Sequence, residues 1–143
     1  MAQQNKGGEY MSKYKNKKVK IDGMVFASIW EEKRYRQLLM MQKANIISDL
    51  RMQVSFELIP ARYEEIPTGE VYKRGARKGQ PKMKKVCTEQ GVKYIADFVY
   101  IENGKEIVED TKSPATRKKE SYIIKRKLML YIHNIKLREV MEK

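Results

Sequence analysis

The chain has 143 residues, 41% of them hydrophobic, which is enough for one domain with its own core and excludes wholesale disorder. Lys and Arg number 31 against 18 Asp and Glu, a formal net charge of +13, so the expected partner is a polyanion, nucleic acid before a membrane surface. A single cysteine (Cys87) and a single histidine (His133) exclude an internal disulfide, a Cys/His zinc cluster and a two-His metal site, leaving carboxylates, Lys, Tyr or Ser to carry any chemistry.

Residues 1–18 are polar, glycine-containing and basic, and are expected to form a flexible tail that contacts an anionic partner or stays solvated. They contain no apolar core of signal-peptide length, and no apolar run in the chain reaches the roughly 20 residues of a membrane span. A reducing, cytoplasmic setting is therefore expected. The remaining 19–143 are read as the folded domain.

Val19 to Phe26 predicts a short hairpin around Asp22-Gly23. Ser28 then caps a helix to about Lys43, with Tyr35, Leu38, Leu39 and Gln42 at helical spacing. From Arg51 to Pro60, Met52, Val54, Phe56 and Leu58 alternate with polar residues, the pattern of a half-buried strand. Residues 61–90 are the least regular stretch. Lys73, Arg74, Arg77 and Lys78 lie there among Gly and Pro, in a mobile loop or an extended hairpin that either touches nucleic acid or is a solvated insertion.

Two β-rich runs, 94–102 and 105–112, flank Asn103-Gly104, a strong hairpin signal. A helix is expected from about Thr116 to Tyr131 and a last strand over 135–141. Arg117, Lys118 and Lys119 open that helix, where cations oppose the helix dipole. Together with Lys125 and Lys127 they suggest either a phosphate partner or a solvated charged face.

A two-residue loop at 103–104 pairs Glu102 with Lys105, and by the same register Val99 with Val108, Asp97 with Asp110 and Ile95 with Lys112. Opposed residues have Cβ atoms roughly 4.5–5.5 Å apart, and alternate residues share a face. Asp97, Asp110 and Lys112 are thus expected on one face with Ile95, Val99 and Val108. The other face carries Tyr94, Ala96, Phe98, Tyr100 and Ile107. Two carboxylates on a partly dry surface repel unless one keeps a proton or a hard cation sits between them. Mg²⁺ suits one or two carboxylates plus water and phosphate oxygens. Lys112 would then activate water or stabilise charge on phosphorus. The bland alternative is a surface ion-pair cluster.

Glu31 fits a capping box with Ser28, and also leans toward the sheet on the stripe of Tyr35 and Leu38, where it would be a third acidic ligand. Spacing alone does not separate these roles. Glu109 points away from Lys112, so strand parity selects Asp110-Thr-Lys112 as the chemical motif.

An acidic residue in an N-terminal helix, an Asp on one strand, then Asp-x-Lys on the next strand and a helix after it resembles the layout of the PD-(D/E)XK nuclease superfamily. More narrowly, Phe26-x-Ser28-x-x-Glu31-x-x-Arg34-Tyr35, Gln53-Val-Ser-Phe-Glu-Leu, Tyr94-Ile-Ala-Asp97-Phe-Val-Tyr and Val108-Glu-Asp110-Thr-Lys112 look like a family of small phage and prophage proteins related to Holliday-junction resolvases. The likeness spans about Phe26 to Val140, with Ala96 standing where the superfamily pattern has Pro. It implies an α/β, restriction-endonuclease-like mixed β-sheet flanked by helices around the 94–112 hairpin. It further implies Mg²⁺ or Mn²⁺ on Asp97, Asp110 and the Thr111 carbonyl, with Glu31 completing the site and Lys112 acting on the attacking water. The nucleic-acid contacts expected are Arg34, Lys73, Arg74, Arg77, Lys78 and Lys125. The function expected is a metal-dependent endonuclease on branched DNA, working as a homodimer in a bacterial host cell. The alternatives are a non-catalytic DNA-binding module and a same-fold nuclease for duplex ends or RNA.

Overall fold

The structure, a computed structural model, describes residues 18–21 and 23–141. The expected tail falls outside the described residues except for Lys18, and so does Asp22 of the first turn. The elements in chain order are β1 (Val19–Ile21), β2 (Met24–Phe26), α1 (Ile29–Lys43), β3 (Ile47–Ile59), β4 (Arg62–Val71), β5 (Pro81–Glu89), β6 (Val92–Glu102), β7 (Lys105–Lys112), α2 (Pro114–Arg117), α3 (Glu120–His133) and β8 (Arg138–Met141). Among the described residues no helix is long and apolar enough to cross a membrane.

The main sheet is mixed, in the order β3-β6-β7-β8. β3, β6 and β7 are antiparallel neighbours, joined at one corner by Asn103 and Gly104, whose φ values of 51° and 73° are those a tight primed turn requires. β8 runs parallel to β7, because the chain crosses back through α2 and α3 before returning. One face is covered by α3, whose Tyr122 and Met129 pack with Val99, Val108 and Leu137. The other is covered by α1, whose Leu38 packs with Ile47, Phe98 and Tyr100.

Helix α1 begins where the cap predicts, with the Ser28 hydroxyl accepting from Glu31 N at 3.1 Å. Three boundaries differ from expectation. The strand read from Arg51 starts at Ile47, before the apolar alternation becomes visible. The helix read over 116–131 breaks at Lys118-Lys119, giving the short α2 and then α3 to His133. The last strand is only Arg138–Met141, since Ile135 and Leu137 pack into the core before pairing begins. Residues 62–89 take the extended-hairpin form: β4 and β5 pair only with each other.

One irregularity overturns the facial assignment of the central hairpin. Residues two apart on a regular strand share a face. Yet Met52 packs on the α1 side and Val54 on the α3 side, and across the ladder Phe98 and Ala96 divide the same way. Between them lie Gln53, with φ 52°, and Asp97 opposite it. A non-glycine residue in the left-handed region is uncommon, and such kinks re-aim side chains beside functional sites. Tyr94 and Ala96 therefore share a core with Val99 and Val108 and not with Phe98 and Tyr100, while Ile95 is 47% exposed.

Candidate active site

The kink sets the geometry of the acidic pair. The β6–β7 ladder follows the expected register from Glu102↔Lys105 through Val99↔Val108 and stops at Phe98↔Glu109. Asp97 and Asp110 therefore do not form a ladder pair. Beyond that point Asp97 Oδ2 accepts from both the Thr111 amide (2.9 Å) and its hydroxyl (2.8 Å), tying the end of β7 to β6 through a side chain. Asp110, 1% exposed, accepts the Tyr94 hydroxyl at 2.6 Å on Oδ2, and Lys112 Nζ lies 2.8 Å from the same oxygen. The neighbouring Asp97 carboxylate disfavours a second negative charge on Asp110, so the pair favours either a retained proton or a cation.

Burial, then the neighbouring Asp97, push the Asp110 carboxyl up to about 7, with Lys112 pulling the other way. Because the folded state holds this proton more tightly than the unfolded chain, the associated stability is fully present below the ordinary carboxyl range. It is lost as pH rises through about 7. Without divalent metal, unfolding free energy should fall between pH 5 and 8 by on the order of 2–4 kcal/mol. Thermal melts of the wild type and Asp110→Asn across that range check this. The mutant should be much flatter, and parallel curves would mean that Asp110 ionises normally.

Trp30, Glu31, Asp97, Thr111 and Lys112 line one cleft of about 190 Å³. Glu31, 4% exposed, is clamped at both oxygens: Oε2 accepts from the Ala27 amide at 3.1 Å and Oε1 from Gln53 Nε2 at 3.0 Å. The return bond of the capping box thus goes to Ala27 and not to Ser28. Burial above all raises the Glu31 carboxyl, with Asp110 adding to the shift and Lys112 opposing it, so the three acidic groups and the lysine share one field. Among the described residues the Trp30 indole N–H, buried behind the cleft, has no hydrogen-bond partner.

Sequence reading missed the support behind Lys112. Its Nζ stands 4.6 Å from the centre of the Tyr122 ring, a cation–π distance. The Tyr122 hydroxyl donates to Glu139 at 2.8 Å, and Arg117 holds Glu139 at 2.7 Å. Glu139 is the ladder partner of Asp110 on β8, a parallel pairing that no local pattern announces. Tyr94 and Gln53 were missed for a related reason: the kink re-aims them.

The expected nucleic-acid residues separate into three groups. Lys73, Arg74, Arg77 and Lys78 are exposed at the far end of the β4–β5 hairpin. Lys125 is half-buried on α3, three residues from Tyr122 and four from Met129, on the stripe that faces the sheet. Arg34 is engaged elsewhere: Nε and Nη2 donate to the two oxygens of Glu109 at 2.8 and 2.7 Å, and Nη1 to Gln37 at 3.0 Å. Glu109 is 0% exposed and also accepts the Tyr100 hydroxyl, so Arg34 is accounted for as the partner of a buried charge.

A larger cavity of about 500 Å³ lies beyond Glu139, bordered by Arg117, Arg126, Lys127 and Lys136. Its one carboxylate is already paired, and it holds none of the Asp-x-Lys chemistry. Among the described residues, no three Asp, Glu, His or Cys side chains stand together as a ready-made metal cluster. The donor set is two carboxylates and nearby main-chain oxygens, which suits a hard, water-retaining cation better than zinc.

The chain belongs to the family described as "Protein of unknown function (DUF1064)", whose model matches residues 11–142. No curated protein and no solved structure matches the chain.

Proposed function

We propose that this protein is a metal-dependent endodeoxyribonuclease of restriction-endonuclease-like type, with Asp97, Asp110 and Lys112 at its centre. The observation that carries the reading is the convergence of Asp97, bonded to Thr111 at the end of β7, on Asp110, which is 1% exposed and 2.8 Å from Lys112 Nζ. A structural ion pair needs one carboxylate; the second leaves an excess of negative charge that a cation relieves. Asp97 and Asp110, with the Thr111 carbonyl, would hold Mg²⁺ or Mn²⁺, which would polarise a phosphate oxygen and acidify a water.

The chain's own groups supply the rest. Lys112 Nζ, fixed between Asp110 and the Tyr122 ring, is placed to hydrogen-bond the attacking water or a phosphate oxygen as charge builds on phosphorus. Glu31 keeps the cleft negative while its clamp on Gln53 steadies the kink. A net charge of +13 fits a nucleic-acid substrate, and a homodimer would give the two symmetric cuts that a four-way junction requires. On α3, Ile124, Leu130, Tyr131 and Ile132 are exposed apolar residues that a second copy would cover.

The test is a cleavage assay with Mg²⁺ on four-way junction, linear duplex and single-stranded DNA. Cutting that needs Mg²⁺ is expected, fastest on the junction. Tight binding without cutting of any substrate would instead make the protein a DNA-binding module. A companion result concerns Glu31→Gln. An amide at that position accepts from Ala27 with its oxygen, and Gln53 can flip to accept from its nitrogen, so the melting temperature should stay near wild type. Activity should fall about 100-fold or more, because one negative charge of the cleft is gone. Full activity would confine Glu31 to capping.

A further inference from the structure

The β4–β5 arm has no structural reason to persist as it stands. All ten residues of β4 are exposed, no other element packs substantially against the pair, and a lone two-stranded hairpin is marginal in water. Its base is fixed: β4 and β5 continue from β3 and β6, and a side chain at Gly91 would meet the Ile59 carbonyl at 2.8 Å. Its charge is graded along its length. Beyond the Lys82–Glu70 ion pair (3.8 Å), residues 71–81 carry Lys73, Arg74, Arg77 and Lys78 and no Asp or Glu, whereas Lys84 and Lys85 stand across the ladder from Ile66 and Glu65 nearer the base. Near the tip Arg77 (5.9 Å) and Lys82 (5.7 Å) both stand at cation–π distance from the Tyr72 ring, which orders them. Lys85 lies over the Tyr63 ring further down, at 4.7 Å. The repulsion between cations gathered at one ring is relieved when an anion lies beside them.

The geometry points to the β4–β5 arm as a ribbon that enters the major groove of duplex DNA away from the cleavage site, gripping phosphates with Lys73, Arg74, Arg77 and Lys78 at its tip. This rests on the reading of DNA as the substrate and adds where and how the duplex is held. A two-stranded antiparallel ribbon fits the major groove of B-form DNA, whereas the A-form major groove of RNA is too deep and narrow. Ten residues of strand reach roughly 30 Å, about one turn of duplex. The arm should therefore matter only for DNA that extends well past the cleft.

The experiment measures binding in a chelator, so that it does not depend on cutting, using duplexes of about 10 and about 40 base pairs. The proteins are the wild type, a charge variant (Lys73, Arg74, Arg77 and Lys78 all to Ala) and an arm replaced beyond Pro67 and Met83 by an Asn-Gly turn. Both variants should lose about tenfold or more on the long duplex and under about threefold on the short one, and the charge variant should flatten the slope of log K against log salt by roughly two to four. Methyl green, a major-groove ligand, should compete with the wild type, and the minor-groove ligand distamycin should not. Unchanged affinity of the charge variant for the long duplex would overturn the proposal, as would displacement by distamycin alone. An arm-dependent dimer in sedimentation with unaltered DNA binding would assign the arm to a protein contact and overturn it too. A wild type that binds long duplex through the arm yet never cuts would sink the nuclease reading and leave the arm's role standing.

Discussion

Replacing Lys112 by Ala should abolish cleavage, by about a thousandfold or more, while leaving affinity for DNA within a few-fold. The expectation follows from how this lysine is held. Its ammonium is only 16% exposed and is fixed by Asp110 at 2.8 Å and by the face of Tyr122, so it adds little to the long-range attraction of phosphate. Many other cations remain to bind the backbone, Lys73, Arg74, Arg77 and Lys78 at the arm tip among them. On the proposed mechanism, removing Lys112 would take away the donor for the reacting phosphate and leave Asp110 to repel it unopposed. Single-turnover cleavage and metal-free binding, measured side by side, check it. Equal losses of rate and affinity would make Lys112 a binding contact. Tyr122→Phe should be a milder version, since the ring remains under the ammonium and only its tether to Glu139 is cut.

Arg34→Ala should produce the largest loss of stability of any surface-reaching substitution, about 3–5 kcal/mol, with little effect on DNA affinity. Glu109 is fully buried, and Arg34 supplies both of its charge-assisted bonds. Without the guanidinium, the carboxylate keeps only the Tyr100 hydroxyl, at 2.7 Å, and must be protonated or hydrated. Glu109→Gln in the Arg34→Ala background should recover part of the loss, because it removes the orphaned charge. Chemical denaturation of the single and double variants measures this. An Arg34→Ala protein as stable as wild type but deficient in DNA binding would restore Arg34 to the nucleic-acid contacts expected from the sequence.

The Arg34 case shows where sequence reading reaches and where it stops. Local signals carried far: Ser28 marks the start of α1, and Asn103-Gly104 fixes the hairpin register as far as Phe98↔Glu109, one step short of Asp97 and Asp110. What failed was the assumption that alternation continues unbroken to Tyr94. The facing reverses where Gln53 takes φ 52° across from Asp97. That reversal depends on a strand some forty residues away, so no pattern within β6 reports it. Likewise, whether a cation meets phosphate or a buried carboxylate is decided by which helix lands on which face. The parallel pairing of Asp110 with Glu139 and the seating of Tyr122, its ring by Lys112 and its hydroxyl on Glu139, are also long-range facts. The 61–90 region resisted reading for a different reason: the arm has no buried face, and so no apolar alternation to display.

The most direct measurement is titration calorimetry of Mg²⁺ and Mn²⁺ into the metal-free protein at pH 8, with wild type and Asp110→Asn compared. At that pH Asp110, pushed up to about 7, is largely ionised, and the paired carboxylates present their full charge to a cation. The account predicts saturable binding by the wild type, weakened at least about tenfold by Asp110→Asn and likewise by Asp97→Asn. No binding by the wild type, or equal binding by all three proteins, would contradict it.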